Sequence, residues 1–291
     1  MDRRSFLKLS GAGLGAVFLG AGQTGLVLAA SREGMGMLYD ATKCVGCRAC
    51  QVACKRWHEL PAESADSQNL YDNPSDLSAS TWTLIQMVKP EADGDWSFVK
   101  RQCMHCQHPA CASACPVGAL HQTEYGAVVY EPDRCIGCRY CMVACPFGIP
   151  KFEWEKSLPY VSKCDFCVDR LEAGLEPACA AACPAGAITF GERDSLIAEA
   201  ESRIQDNPDR YVNHIYGKEE LGGTSMLYLS HVPFDRLGLP PLDSEPVTEL
   251  SEAVATYGTP SVAASVALFL GGLYYWFSKW EKRMQAAKAA D

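Results

Sequence analysis

The chain has no surplus of basic residues: 26 Lys and Arg stand against 35 Asp and Glu, a formal net charge of −9. Phosphate backbones are gripped by clustered Lys and Arg, so this balance argues against nucleic acid as a partner. The chain also lacks C-x-x-C-H, the attachment signature of c-type haem. Cys47, Cys106, Cys138 and Cys167 are followed by Arg48, Gln107, Arg139 and Val168 instead. No histidine follows His231, so the apolar stretch near the C-terminus cannot supply a haem ligand. There is no nucleophile–base constellation, phosphate loop or paired acid/base motif, and the chain reads as non-catalytic. Gly11-Ala12-Gly13-Leu14-Gly15-Ala16 fits a dinucleotide fingerprint, but it follows an arginine pair rather than a strand and has no βαβ context.

Cysteine is what the chain has in excess. Its 16 cysteines fall into four complete groups. Group one is Cys44, Cys47, Cys50 and Cys54; group two is Cys103, Cys106, Cys111 and Cys115; group three is Cys135, Cys138, Cys141 and Cys145; group four is Cys164, Cys167, Cys179 and Cys183. Each closes in C-x3-C, and three of the four run on into proline. A structural zinc takes four ligands from two separated pairs, whereas a C-x2-C-x2-C triplet over-supplies one loop. Disulfides do not explain a fourfold cysteine–proline repeat.

Groups one and three follow C-x2-C-x2-C-x3-C, the bacterial ferredoxin run, whose fourth cysteine ligates the other cluster of a pair. Three thiolates on one tight loop reach three iron corners, and the fourth, on the following helix, points to a neighbour. Four groups therefore predict four [4Fe–4S] clusters. Groups two and three, adjacent in sequence, make one module: Cys103, Cys106, Cys111 with Cys145, and Cys135, Cys138, Cys141 with Cys115. Groups one and four are left for each other: Cys44, Cys47, Cys50 with Cys183, and Cys164, Cys167, Cys179 with Cys54. The fold class expected is α+β, with two nested ferredoxin-like two-cluster modules, inserts and one C-terminal transmembrane helix.

Residues 1–30 read as a twin-arginine export signal: Arg3-Arg4, then Phe6-Leu7-Lys8, then a Gly/Ala-rich run ending in small residues. That address is associated with proteins exported already folded around their cofactor. Residues 259–279 form an apolar segment of bilayer length, with Tyr274, Tyr275, Trp276 and Trp280 at its end. Lys279, Lys282, Arg283 and Lys288 follow it, and Glu245, Glu249 and Glu252 precede it. By the positive-inside rule the tail, 280–291, is cytoplasmic and the body lies on the periplasmic face. Between these ends, 31–102 and 161–191 are the two halves of the outer module and 103–160 is the inner one. The insert contains a hairpin turning at residues 91–95. Residues 192–258 begin with an amphipathic helix stopped near Asn207-Pro208 and continue as a loop-rich tail from Arg210, either a linker or a segment lying across a partner.

Several charged or polar residues sit beside the cysteines. His105 and His108 exceed the ligand set and read as hydrogen-bonding or surface groups. Arg48, Arg139, Lys163 and Arg170 either offset cluster charge or are solvated. Asp169, Arg170 and Glu172, in the loop between Cys167 and Cys179, suggest an exposed face for docking a partner subunit.

In order and spacing the four groups resemble the four-cluster iron–sulfur subunits of membrane-bound molybdopterin oxidoreductases and related hydrogenases, the DMSO-reductase-type electron-transfer subunits. The insert's LYDNPSDLSASTW, CVDRLEAGLEPAC and the C-terminal segment are similar to the beta subunit of membrane-bound formate dehydrogenase. The twin-arginine pair, GMLYDATKCVGC, QCMHC and CRYCMVACP resemble the iron–sulfur subunit of periplasmic nickel–iron hydrogenase. The resemblance implies electron relay from a catalytic molybdopterin or nickel–iron subunit to a membrane cytochrome b or quinone-reducing subunit. The formate dehydrogenase type is the favoured reading; the alternatives are a quinone-linked hydrogenase and a freestanding membrane-tethered polyferredoxin. A group-three cysteine that some relatives replace is present here.

Overall fold

The computed structural model describes residues 34–62, 74–90, 96–154, 156 and 160–288, all within one unit, Glu33–Asp291. The twin-arginine segment, residues 70–73 of the insert motif, the turn at 91–95 and residues 289–291 lie outside the described residues.

In chain order the elements are β1 (Met35–Asp40), α1 (Ala49–Trp57), β2 (Leu84–Val88), β3 (Ser97–Arg101), α2 (Ala110–Ser113), β4 (Leu120–Gln122), β5 (Val128–Tyr130), α3 (Tyr140–Ala144), β6 (Lys151–Phe152), β7 (Val161–Ser162), α4 (Val168–Glu172), α5 (Ala178–Ala181), β8 (Ile188–Glu192), α6 (Arg193–Asp206), β9 (Met226–Leu229), α7 (Glu249–Ala253) and α8 (Thr259–Lys288). β1 precedes group one and β5 precedes group three, and the expected hairpin is β2–β3, antiparallel with Leu84 opposite Arg101.

The central sheet runs β8-β1-β9. β1 pairs antiparallel with β8, Met35 opposite Glu192 through Tyr39 opposite Ile188, and parallel with β9, Met37 opposite Met226 through Asp40 opposite Leu229. Side chains alternate across a strand, so each strand serves two cores. Met37, Tyr39, Met226 and Tyr228 face the main core with the cysteines. Leu38, Leu227 and Leu229 face the opposite way, onto α6. The helix answers with Leu196, Ala200 and Ile204, one apolar stripe at four-residue spacing.

β9 falls where the sequence suggests only a tail. Its four residues, MLYL, are all buried and continue β1 as the parallel third strand. A run of four apolar residues is too short to announce a strand by alternation. The tail up to this point is therefore part of the core rather than a linker.

The two modules repeat each other's packing. α1 packs on α5 in the outer module, and α2 packs on α3 in the inner one. The hairpin insert is fastened to the central sheet by two phenols: Tyr39 donates to the Phe98 carbonyl (2.8 Å) and Tyr228 to the Lys100 carbonyl (2.8 Å).

Near the C-terminus the sequence marks a helix start at Pro260. The structure runs one helical rod earlier, from α7 through a π-helical turn (Val254–Gly258) into α8. Proline has no N–H for the carbonyl four residues back, and a widened turn absorbs the defect. The Thr259 hydroxyl donates to the Val254 carbonyl (3.3 Å) and Ser261 to that of Tyr257. α8 exposes Leu268, Phe269, Tyr274, Tyr275 and Trp276.

The end of β1 is pinned by a buried charge. Asp40, with no exposed surface, accepts from Arg203 (3.1 Å), Tyr211 (2.9 Å) and both the backbone N–H (3.0 Å) and hydroxyl (2.6 Å) of Thr42. Removing one member of such a network strands the others without a partner. Asp40→Ala should cost about 3–5 kcal/mol, read as a lower thermal unfolding midpoint. Asp40→Asn, which keeps two of the acceptances, should lose less.

Candidate metal centre

Groups one and three adopt the same loop. Their glycines, Gly46 (φ +66°) and Gly137 (φ +71°), and the arginines two residues on, Arg48 (φ +58°) and Arg139 (φ +65°), all lie in the left-handed region. Two left-handed residues within three curl the chain tightly, then release it into α1 or α3. Cys50 and Cys54 fall four apart on α1, stacked on one helix face.

All sixteen thiols are free; half are buried and only Cys47 and Cys138 are exposed. Thiols of groups one and four are electrostatic neighbours, as are thiols of groups two and three. Cys44 is pushed up by burial and, beyond its own loop, by Cys183. Burial raises Cys50 to about 12 against the pull of Lys100, with Cys179, Cys44 and Cys183 adding to the rise. Cys54, on the same helix, is raised by burial and by Cys179 and Cys167 of group four. The inner module repeats the exchange. Cys106 is raised by burial, Cys103 and Cys145; Cys111 rises to about 12 through burial and Cys103, opposed by Lys163, with Cys145 adding. Cys141 rises to about 11 through burial, Cys135 and Cys138, with Cys115 a further neighbour.

Two pockets repeat the pattern in space. One is lined by Cys44, Cys47, Cys50 and Cys183 with Tyr39, Ile85 and Ile188; the other by Cys115, Cys135, Cys138 and Cys141 with Leu120, Phe152 and Val161. Four soft thiolate donors around an apolar-walled space suit an iron–sulfur cluster. Backbone donors complete the match: Ala119 N–H points to Cys115 Sγ (3.2 Å) and Ala187 N–H to Cys183 Sγ (3.3 Å), at equivalent places in the two modules. At Cys115 the rise from burial is outweighed by N–H groups of Leu120, Val117, Ala119 and Gly118, and its thiol is pulled below the ordinary value.

Comparison with known proteins agrees. Models of 4Fe-4S dicluster domains match residues 43–119 and 94–193. Hydrogenase-2 operon protein HybA of Escherichia coli O157:H7 is 37% identical over 84% of this chain and 85% of its own length. The iron–sulfur subunit of nitrate-inducible formate dehydrogenase from Escherichia coli K12 is 42% identical over 67% of each chain. A protein of Nitratidesulfovibrio vulgaris is 39% identical over the whole of this chain and 80% of its own length. The chain belongs to this family of iron–sulfur electron-transfer subunits. The two dicluster domains imply that its cysteines hold [4Fe–4S] clusters.

Around the thiols of this iron–sulfur subunit the structure sorts the remaining candidates. His105 is fully buried, and its Nδ1 accepts from the Val128 N–H (3.0 Å), which leaves the proton on Nε2. Burial, Lys163 and Lys100 all depress its pKa, so the ring is neutral. His108 is exposed. Arg139 is exposed over the Trp154 ring (4.3 Å) and Arg48 is half-buried. Lys163 is buried rather than solvated. Asp169 and Arg170 are engaged within the chain: Trp57 Nε1 donates to Asp169 (2.8 Å), and Arg170 lies 4.4 Å over the Trp57 ring. The loop between Cys167 and Cys179 is thereby clasped to α1, with Asp169 and Glu172 exposed and Arg170 half-buried.

Two residues were not legible as site residues. Lys100 sits in a strand where a lysine reads as solvated, yet it has no exposed surface. His58 brings Nε2 to 3.5 Å from both Cys167 Sγ and Asp165 Oδ1, its ring on Trp82 (4.7 Å). Its place four residues after Cys54, on the same helix face, is a signal that could have found it.

The equivalent loop glycines differ in surroundings. A Cβ on Gly46 would meet the Phe98 ring of the insert at 2.3 Å, whereas one on Gly137 meets nothing within 4 Å. Both substitutions incur left-handed strain of about 1–2 kcal/mol, and Gly46→Ala adds overpacking of about 1–3 kcal/mol. Melting the two variants side by side should place Gly46→Ala clearly below Gly137→Ala.

Proposed function

We propose that this chain is the electron conduit of a membrane-bound respiratory oxidoreductase, holding four [4Fe–4S] clusters between a catalytic subunit and a membrane cytochrome b or quinone-reducing subunit. The crossed thiol neighbourhoods are the observation that supports it. The ligand sets follow: Cys44, Cys47, Cys50 and Cys183; Cys103, Cys106, Cys111 and Cys145; Cys135, Cys138, Cys141 and Cys115; Cys164, Cys167, Cys179 and Cys54. Each cluster, when bound, supplies a one-electron carrier.

The protein's part is to hold these sites apart from water and open at two points. Cys47 and Cys138, at equivalent positions in the outer and inner modules, are the exposed thiols. Exposed Val45 and Ile136 stand beside them. These are the places where electrons can pass to and from partner subunits. α8, long and apolar enough to cross a bilayer, anchors the subunit with its Lys279, Lys282 and Arg283 end in the cytoplasm and the body on the periplasmic side.

The catalytic partner is of the molybdopterin formate dehydrogenase type, as the insert and group-four motifs favour. A nickel–iron hydrogenase is the second reading, on the observation that similarity to HybA extends over 84% of the chain against 67% for the formate dehydrogenase subunit. A freestanding polyferredoxin is disfavoured by the family to which the chain belongs.

Purified in mild detergent, the chain should bring a molybdopterin or nickel–iron catalytic subunit with it and contain about sixteen irons. Recovery as a lone cluster-loaded monomer would sink the conduit reading, and a much lower iron content the four-cluster count. Cys183→Ser should alter the electron paramagnetic resonance signal of the cluster held by Cys44, Cys47 and Cys50. If it alters the group-four signal instead, the crossing is wrong.

A further inference from the structure

Two lysine side chains are sealed in the core among the cysteines. Lys100 has no exposed surface and Lys163 only 5%. Lysine is almost never fully buried unless its charge is compensated. Their hydrogen-bond partners here are neutral. Lys100 Nζ donates to Thr83 Oγ1 (2.5 Å) and to Gln102 Oε1; Lys163 Nζ donates to the carbonyls of Cys164 (2.9 Å) and Val128. No carboxylate pairs with either among the described residues. The groups within reach that would carry negative charge with a cluster bound are sulfurs: Lys163 Nζ lies 3.9 Å from Cys103 Sγ.

The hairpin insert aims Lys100 at the outer module. Its cross-strand partner Ile85 donates its N–H to Gln51 Oε1 (2.9 Å), next to Cys50 on α1. Gln51 lies on α1 between Cys50 of group one and Cys54, and Ile85 lines the pocket of Cys44, Cys47, Cys50 and Cys183, so the strand of Lys100 is held against the helix that carries thiols of the outer module. Lys163 adjoins Cys164 in the chain and lies against Cys103 of group two. The pocket of Cys115, Cys135, Cys138 and Cys141 is walled by Leu120, Phe152 and Val161 and by no lysine.

A cluster with four thiolates is already anionic, and an added electron deepens that charge. A fixed cation in a low-dielectric interior stabilises the reduced form more than the oxidised one. We infer that Lys100 and Lys163 are buried cations that raise the reduction potentials of the clusters they face: Lys100 both clusters of the outer module, Lys163 the group-two cluster. The group-three cluster faces neither. The insert's role is then to deliver one positive charge to the electron path, while neutral His105 adds none. This inference rests on the four-cluster reading above.

The test is a redox titration of the intact purified complex, followed by electron paramagnetic resonance, for Lys100→Met, Lys163→Met and the matching arginine variants. Lys100→Met should disfavour reduction of the two outer-module clusters tenfold or more, about 59 mV per tenfold for a one-electron couple. Lys163→Met should do so for the group-two cluster. The group-three potential should stay put in both, and arginine should restore the parent values. Where a methionine variant does not assemble, glutamine, which keeps a donor for Thr83 or the carbonyls, takes its place. Unmoved potentials, equal shifts in the arginine variants, or an equal shift of group three would overturn the assignment. Fewer than four cluster signals in the parent complex would instead overturn the four-cluster reading and this inference with it.

Discussion

The antiparallel pairing of β1 with β8 holds the molecule together, because it joins the cysteine group that opens the structure to the group that closes it. Met35 opposite Glu192 and Tyr39 opposite Ile188 fix the register. That register brings Cys183, just before β8, beside Cys44, just after β1. Everything between is threaded inside this clasp, so the inner module forms as an excursion from one long-range pairing. Such a pairing incurs its loop-closure entropy before its contacts form, but the cost grows only slowly with loop length. Two cores, one on each face of the sheet, offset it.

The second constraint is charge. Sixteen thiols in one small body would repel each other once ionised, and burial pushes most of those that shift toward the neutral form. The chain answers with backbone N–H groups aimed at sulfur, as at Cys115 and Cys183, and with two buried lysines that no carboxylate partners among the described residues. A bare cavity would hold neutral thiols; a cationic cluster core draws out the thiolates and is held by them. The polar groups of the interior are thus arranged for an occupant, and the hairpin insert, which looks like decoration, supplies both Phe98 against Gly46 of the group-one loop and the buried Lys100.

Much of this was written in spacing. A cysteine triplet with a fourth member on the following helix calls for a curled loop, and Gly46, Arg48, Gly137 and Arg139 adopt the left-handed turns that such a loop requires. The helix from Arg193 to Asp206 and the β2–β3 hairpin were equally plain, since periodicity and turn residues are local signals. β9 was not, because four apolar residues become a strand only when β1 offers an edge. Nor could the sequence say that Asp169 and Arg170 clasp Trp57, since a charged loop reads the same whether it faces solvent or a neighbouring ring.

The sequence by itself determined the chemistry: the number of thiols, their grouping and the family to which they belong, all properties of spacing along the chain. Tertiary structure alone decided which two thiols remain exposed and which lysines lose their water. Those are properties of distance through space, and a lysine on an alternating strand carries no local mark of whether the face it occupies is wet or dry.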